Sequence, residues 1–480
     1  MTPERRLHPA RSESPARTSP LSVIVKAAYA LGGVVDIFGH WLYFSLMQPV
    51  FMGFLHLSPA LLGIAQAVAR ILEAFTDSYF GWRSDNTRTR WGRRRPFILA
   101  GACLAGLGLP CLFMASPNWN ATTLFWFVLL SSCAYVPLLG CYSMPYQSLG
   151  AELTMDSDER TSIMAWRGAV QTLAGLITAW VWWMAAQPII AGKDSPPNLA
   201  RGATWIAAVL GCVMILAGAA CAVFVPERYY ALASRRDRVG FAASIKQTFA
   251  SRPFRILLCA LGLFAVPASM IGALGFYVQF YYVLPGNPTT AALYGGLAGT
   301  CYSVLGAASA PLAAWFARRF GKRRTLQCAL LFGASVLASS YWLYTPKMPI
   351  LFVLCHGLFG VASSGFFWVL LPSMLADVVD EDELANGSRR EGAFSAAISY
   401  TLKFGTTISM LLTGPLVEWM GFDPSRSLQE NATLDRIRLL FALIPATAAL
   451  LAAVALNRYP LSRATMAHIR ARLENRRGSV

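Results

Sequence analysis

Charge is what this chain has least of. Only 14% of its 480 residues are Asp, Glu, Lys or Arg, against roughly 25% in soluble domains. That scarcity excludes a disordered chain, a coiled coil and an ordinary soluble enzyme. Nucleophile–base motifs, metal-ligand clusters and phosphate-cradling loops are missing too, so catalysis is not expected. The ten cysteines (103, 111, 133, 141, 212, 221, 259, 301, 328 and 355) lie in apolar stretches without metal-ligand spacing. They read as small apolar fillers, and no cofactor is implied. The first 20 residues have four prolines and many charges but no apolar core or cleavage site. A signal peptide is thereby excluded, and the segment reads as a disordered cytoplasmic tail.

Apolar residues are abundant, at 55%. A membrane-spanning helix needs ~20 mostly apolar residues. Twelve such segments recur, at 22–50, 59–80, 97–116, 122–148, 163–186, 202–224, 256–283, 290–317, 325–344, 349–376, 392–420 and 437–457. The formal charge of +17 is concentrated in alternate gaps. Arg83, Arg88, Arg90, Arg93, Arg94 and Arg95 follow span 2. Arg318, Arg319, Lys322, Arg323 and Arg324 follow span 8. The linker after span 6 and the C-terminal tail are equally basic. The other side holds only Lys193, Arg201, Lys347, Arg426, Arg436 and Arg438. The positive-inside rule then predicts a multi-pass protein of the cell membrane with both ends cytoplasmic. Its basic balance marks topology, so no nucleic-acid partner is expected, and the unit is read as a monomer in the bilayer.

The chain also repeats itself. Arg90-Trp-Gly-Arg-Arg-Arg95 after span 2 recurs as Arg319-Phe-Gly-Lys-Arg-Arg324 after span 8, each following a tryptophan, Trp82 and Trp315. Ala151-Glu152-Leu153 is echoed by Ala376-Asp377-Val378 six spans later. The predicted organisation is a tail (1–20), a six-helix bundle (21–225), a basic cytoplasmic linker (226–255), a second six-helix bundle (256–457) and a cytoplasmic tail (458–480). Two pseudo-symmetric halves of six helices are the arrangement of the major facilitator fold, with solute bound near the midplane.

Charges inside the bilayer are costly and therefore informative. In span 2, Glu73 and Asp77 are four apart and stack on one helix face, with Arg70 one turn before Glu73. Such a pair can hold a proton, or a sodium ion with help from the Thr76 hydroxyl. The alternative is an internal salt-bridge network through Arg70. Lys403 stands alone in span 11 and needs an acidic partner, for which span 2 is the best source; snorkelling to the headgroups is the competing reading. Asp36 in span 1 reads as functional, while His40 and His356 read as neutral, hydrogen-bonded residues. Trp368 and the run Trp180, Trp182, Trp183 could stack on sugar faces, although aromatics in spans mostly pack or anchor. Finally, Glu152 and Arg160 after span 4, and Asp377, Asp380, Arg389 and Arg390 after span 10, join the basic residues Arg90 and Arg94 on the cytoplasmic side. Opposite charges at matching places suit a cytoplasmic gate, with solvated loops as the alternative.

The stretch Gly81-Trp82 through Asp85, Arg88, Arg90-Trp91-Gly92-Arg93 to Arg95-Pro96-Phe97 resembles the loop signature of the glycoside–pentoside–hexuronide:cation symporters, the melibiose permease-like family of the major facilitator superfamily. Three further blocks agree: Pro145-Tyr146 through Glu159-Arg160-Thr161 to Trp166-Arg167, Met374 to Asp380 through Arg389-Arg390-Glu391-Gly392, and Tyr459-Pro460-Leu461. The resemblance implies a twelve-helix secondary transporter coupling sugar or glycoside transport to H⁺ or Na⁺. Its cation-site motif falls on Glu73, Thr76 and Asp77, its arginine on Arg70, its span 11 lysine on Lys403, its span 5 arginine on Arg167 and its sugar-side tryptophan on Trp368. A cation-site threonine falls on Gly140, which removes an oxygen ligand and favours a proton. The galactoside-binding acid and its neighbouring tryptophan fall on Ser143 and Gln147, and the span 1 acid lies one position from Asp36. The solute is therefore expected to be polar but not a galactoside. A lysophospholipid carrier on the same fold and a non-transporting sensor or assembly partner are the rival readings.

Overall fold

The computed structural model describes residues 21–154, 157–192, 198–227, 248–285, 287–387, 390–426 and 429–477. The predicted N-terminal tail, most of the linker and Arg389 lie outside them. Each of the twelve predicted segments coincides with a helix. They are α1 (Val23–Phe54), α2 (Pro59–Asn86), α3 (Arg95–Cys111), α4 (Ala121–Glu152), α5 (Ser157–Ala185), α6 (Leu199–Phe224), α7 (Arg252–Val283), α8 (Pro288–Phe320), α9 (Lys322–Leu343), α10 (Ile350–Asn386), α11 (Glu391–Trp419) and α12 (Asn431–Ala455). Among the described residues, nine helices are long and apolar enough to cross a membrane, and α3 is a shorter apolar helix. No strand occurs among them.

The helix starts follow from local chemistry. Ser22, Ser58, Asn120, Asn198, Ser251 and Asn287 each precede a helix and accept a bond from a backbone N–H in its first turn. That satisfies a donor the helix cannot pair itself. A proline stands at the first or second position of α2, α3, α7 and α8, where its missing N–H costs nothing.

Helices α1–α6 pack among themselves, as do α7–α12. Two long seams join these halves, α2 against α11 and α5 against α8. Glycine lets α2 and α11 approach closely. A Cβ at Gly63 would run into the Met410 carbonyl oxygen, and one at Gly414 into that of Pro59. In the other seam the Trp180 indole donates to Thr300 Oγ1 at 2.9 Å, so one member of the tryptophan run ties the halves together.

The two halves share a detail of backbone. Residues 48–54 of α1 and 278–283 of α7 form π-helical turns. They end on equivalent bonds, Leu55 N–H to Val50 O at 2.9 Å and Leu284 N–H to Gln279 O at 3.0 Å. The donors are 284 − 55 = 229 residues apart, the spacing of the Arg-rich repeat.

One expectation changes. The acidic run from Asp377 to Glu383 is the last part of α10, not a loop, and α10 ends at Gly387 in the left-handed conformation. After α12, Arg463–Arg477 form α13, whose Met466, Ile469 and Leu473 are buried on the face turned to α10.

Candidate coupling and solute-binding site

Two buried polar clusters meet across one helical turn of α1, from Asp36 to His40. The first surrounds Asp36, which is 8% exposed. Ser143 Oγ on α4 donates to Asp36 Oδ1 at 2.6 Å, and Arg167 on α5 meets Oδ2 at 3.1 Å. A buried carboxylate is tolerable only when paired and hydrogen-bonded, and both conditions hold here. The Arg167 guanidinium also lies over the Tyr146 ring, 5.1 Å from its centroid. Tyr146 stacks between Tyr29 and Tyr142, whose role the sequence did not signal. Thus Asp36 forms one group with Ser143 and Arg167, which lie 107 and 131 residues further along the chain. Gln147 and Trp368 do not join it: Gln147 is exposed, and Trp368 is 41% exposed with its ring edge-on to Phe367.

The second cluster is built on α2. Glu73 and Asp77 are both buried. Arg70 bonds to Glu73 one turn away, and Thr76 Oγ1 donates to the Glu73 carbonyl at 3.2 Å. Lys403 reaches in from α11, bonding to Asp77 and approaching Glu73 Oε1 to 3.4 Å. It does not snorkel. The Thr76 hydroxyl is turned to its own backbone, and its distance to where a Cβ of Gly140 would stand is 3.7 Å. That Cβ would lie 2.7 Å from Asp77 Oδ1, so the missing side chain is what lets α4 approach the acid.

His40 connects the clusters, a role beyond that of the neutral, hydrogen-bonded residue expected from the sequence. Its Nδ1 is 3.1 Å from the Asp36 carbonyl oxygen and its Nε2 is 3.5 Å from Glu73 Oε1. A carbonyl can only accept, so Nδ1 carries a hydrogen. The ring lies in a π-helical turn, Phe38–Leu42, a local widening that is frequent at functional sites.

The expected gate residues pair mostly inside one half. Arg94 meets Glu152 at 2.8 Å and Asp85 at 2.9 Å. Arg93, which the sequence reading did not single out, meets Glu152 at 2.6 Å. Arg90 is exposed with no ion pair among the described residues, and Arg160 donates only to the Thr154 carbonyl, at 3.3 Å. Asp377 binds Lys322 at 2.6 Å and Arg470 of α13 at 3.0 Å, while Arg470 lies 3.8 Å from Asp380. Arg390 pairs with Asp382. Among the described residues these pairs brace each half and do not bridge the mouth between them. The loop before α3 is braced further by Glu227, whose carboxylate accepts the backbone N–H groups of Arg93, Arg94 and Arg95 at 2.8 to 3.1 Å.

An all-α bundle of two repeated halves, with buried ion pairs at its middle, has the architecture of a secondary transporter. Solved structures carry the same fold. A nucleoside transporter, NupG, superposes with a TM-score of 0.62 at 15% identity, over 91% of this chain and all of its own. The D-xylose–proton symporter does so with a TM-score of 0.60 at 17% identity, over 91% and 98%. The chain belongs to the MFS/sugar transport protein family, which it matches over residues 28–463. It is 27% identical to the inner membrane symporter YicJ of Escherichia coli over 92% of this chain and 93% of that one. It is 25% identical to the isoprimeverose transporter of Lactiplantibacillus pentosus over 94% and 93%. It shares the same identity with the sodium-dependent lysophosphatidylcholine symporter 1 of Gallus gallus, over 94% and 89%. It is a membrane transporter of the glycoside–pentoside–hexuronide:cation symporter group.

Proposed function

We propose that the protein couples transport of a sugar or glycoside to protons, with Asp36, Ser143 and Arg167 in the solute site and Glu73 and Asp77 in the coupling site. The observation that carries the proton reading is that protein cations occupy the carboxylates. Arg70 and Lys403 balance Glu73 and Asp77 charge for charge. With Thr76 turned to backbone and glycine at 140, few oxygens are left for a sodium ion, which seeks several. His40 adds a proton to the same cluster. With Nδ1 donating to Asp36 O, its Nε2 is attracted to Glu73 only if the pair shares a proton. Imidazolium with carboxylate and imidazole with carboxylic acid satisfy the geometry equally, and the proton belongs to the pair.

The coupling follows from what that charge holds together. Lys403 belongs to the second half and its acids to the first. Protonating an acid weakens a bond across the seam and changes the relative stability of the open forms. The solute shifts the same balance through its differential affinity for those forms. Asp36 and His40, four residues apart on α1, tie the solute acid to the proton-bearing ring. Its basic loops would face the cytoplasm.

The test is uptake into proteoliposomes over a panel of pentosides, hexosides and hexuronides, under a pH gradient, a sodium gradient and neither. Accumulation driven by the pH gradient alone is expected. Accumulation that requires sodium would overturn the proton reading. A protein that moves lysophospholipid but no sugar would overturn the solute reading.

A further inference from the structure

The face opposite the basic loops carries a polar contact that the coupling scheme does not use. Glu418, near the end of α11, accepts a bond from the Ser58 hydroxyl and one from the Ala60 backbone N–H at 3.2 Å. Ser58 is the N-cap of α2, so a carboxylate from the second half closes the first turn of a helix in the first half. That position suits an anion, because the free N–H groups and the helix dipole present partial positive charge there. A second bond runs beside it. His56 Nδ1 donates to the Pro424 carbonyl oxygen at 2.9 Å, and His56 is held at φ 55°, the one non-glycine residue with positive φ among the described residues. Such a backbone persists where surroundings hold it. Just below, Gly63 and Gly414 bring the two backbones into contact.

We propose that Glu418 is the latch of this face, a positioning residue that holds it shut by capping α2 across the boundary between halves. The latch has to release whenever the transporter opens there. None of the latch bonds involves a residue of the solute or coupling sites, so the inference stands whichever solute or ion is carried.

Pulsed electron spin resonance on the full chain in nanodiscs tests it. Spin-labelled noncanonical residues at Asn118 and Lys347, exposed links of the two halves on this face, report its width, and a pair at Trp91 and Arg324 reports the basic face. Glu418→Ala is expected to raise a long-distance population of the first pair at least tenfold while the second pair shortens. General loosening would lengthen both. Glu418→Gln keeps an acceptor and is expected to restore most of the shut population, and His56→Ala to produce a smaller opening. If Glu418→Ala fails to fold, Ser58→Ala removes the same bond from the other side. Unchanged distances in a folded Glu418→Ala, or in Ser58→Ala where the former does not fold, would overturn the proposal.

Discussion

The Lys403 ammonium on α11 bonds to the Asp77 carboxylate on α2, 326 residues earlier in the chain. Both are largely removed from water, and Glu73 lies 3.4 Å from the same nitrogen. Removing one partner of such a pair leaves an uncompensated charge, at a cost of about 3–5 kcal/mol. Lys403→Gln is therefore expected to lower the melting temperature and abolish gradient-driven accumulation. Adding Asp77→Asn should recover part of the stability but not the accumulation. Differential scanning fluorimetry of the single and double variants, beside uptake assays, checks both.

Arg167→Lys keeps the charge near Asp36 but loses the planar fork and its stacking on Tyr146. Charged hydrogen bonds contribute about 1.5–3 kcal/mol each. Solute affinity is expected to fall by roughly tenfold to a hundredfold, with the melting temperature little changed. Binding calorimetry with a transported solute measures it, and an unchanged affinity would remove Arg167 from the solute site.

Gly140→Ala places a methyl group 2.7 Å from Asp77 Oδ1. The carboxylate has to turn away, and its bond to Lys403 should weaken. Solute exchange down a gradient is expected to persist while uphill accumulation drops. Equal loss of both would argue that the glycine serves folding alone.

His40→Ala removes the ring between the Asp36 carbonyl and Glu73. Accumulation driven by a pH gradient is expected to decline, and counterflow at equal pH to continue. Normal accumulation in that variant would exclude His40 from proton coupling.

Glu227→Gln takes charge from a carboxylate that receives three backbone N–H bonds at the start of α3. The expected loss is about 1–2 kcal/mol of stability, the scale of an N-cap, with transport retained. Thermal denaturation of the purified variant reads it.

Much of the fold was legible because a bilayer leaves few options. Apolar stretches of helical length and the Arg-rich repeat report directly on helices and their order. The ionised residues within spans were legible for the same reason, and Asp36, Arg70, Glu73, Asp77 and Lys403 all make buried or half-buried pairs. What sequence could not supply was orientation about the helix axis. Arg93 and Arg90 are equivalent in composition, yet only the former turns toward Glu152. His40 read only as a neutral, hydrogen-bonded ring because the π-helical turn that aims it at Glu73 leaves no mark in residue type. Glu418 was not singled out, since its partners lie 358 and 360 residues away.

The matched wide turns in α1 and α7 carry a geometric consequence. A π turn takes up one residue more than an α turn, and one residue of helix corresponds to about 100° of rotation and 1.5 Å of rise. Each half therefore carries the same surplus residue at the same register, in its first helix. Were either turn to relax to ordinary pitch, the chain leaving that helix would swing by roughly a quarter revolution or more. The two halves thus carry a paired allowance for twist, placed where Gly53 of one turn faces the Phe276 ring just before the other.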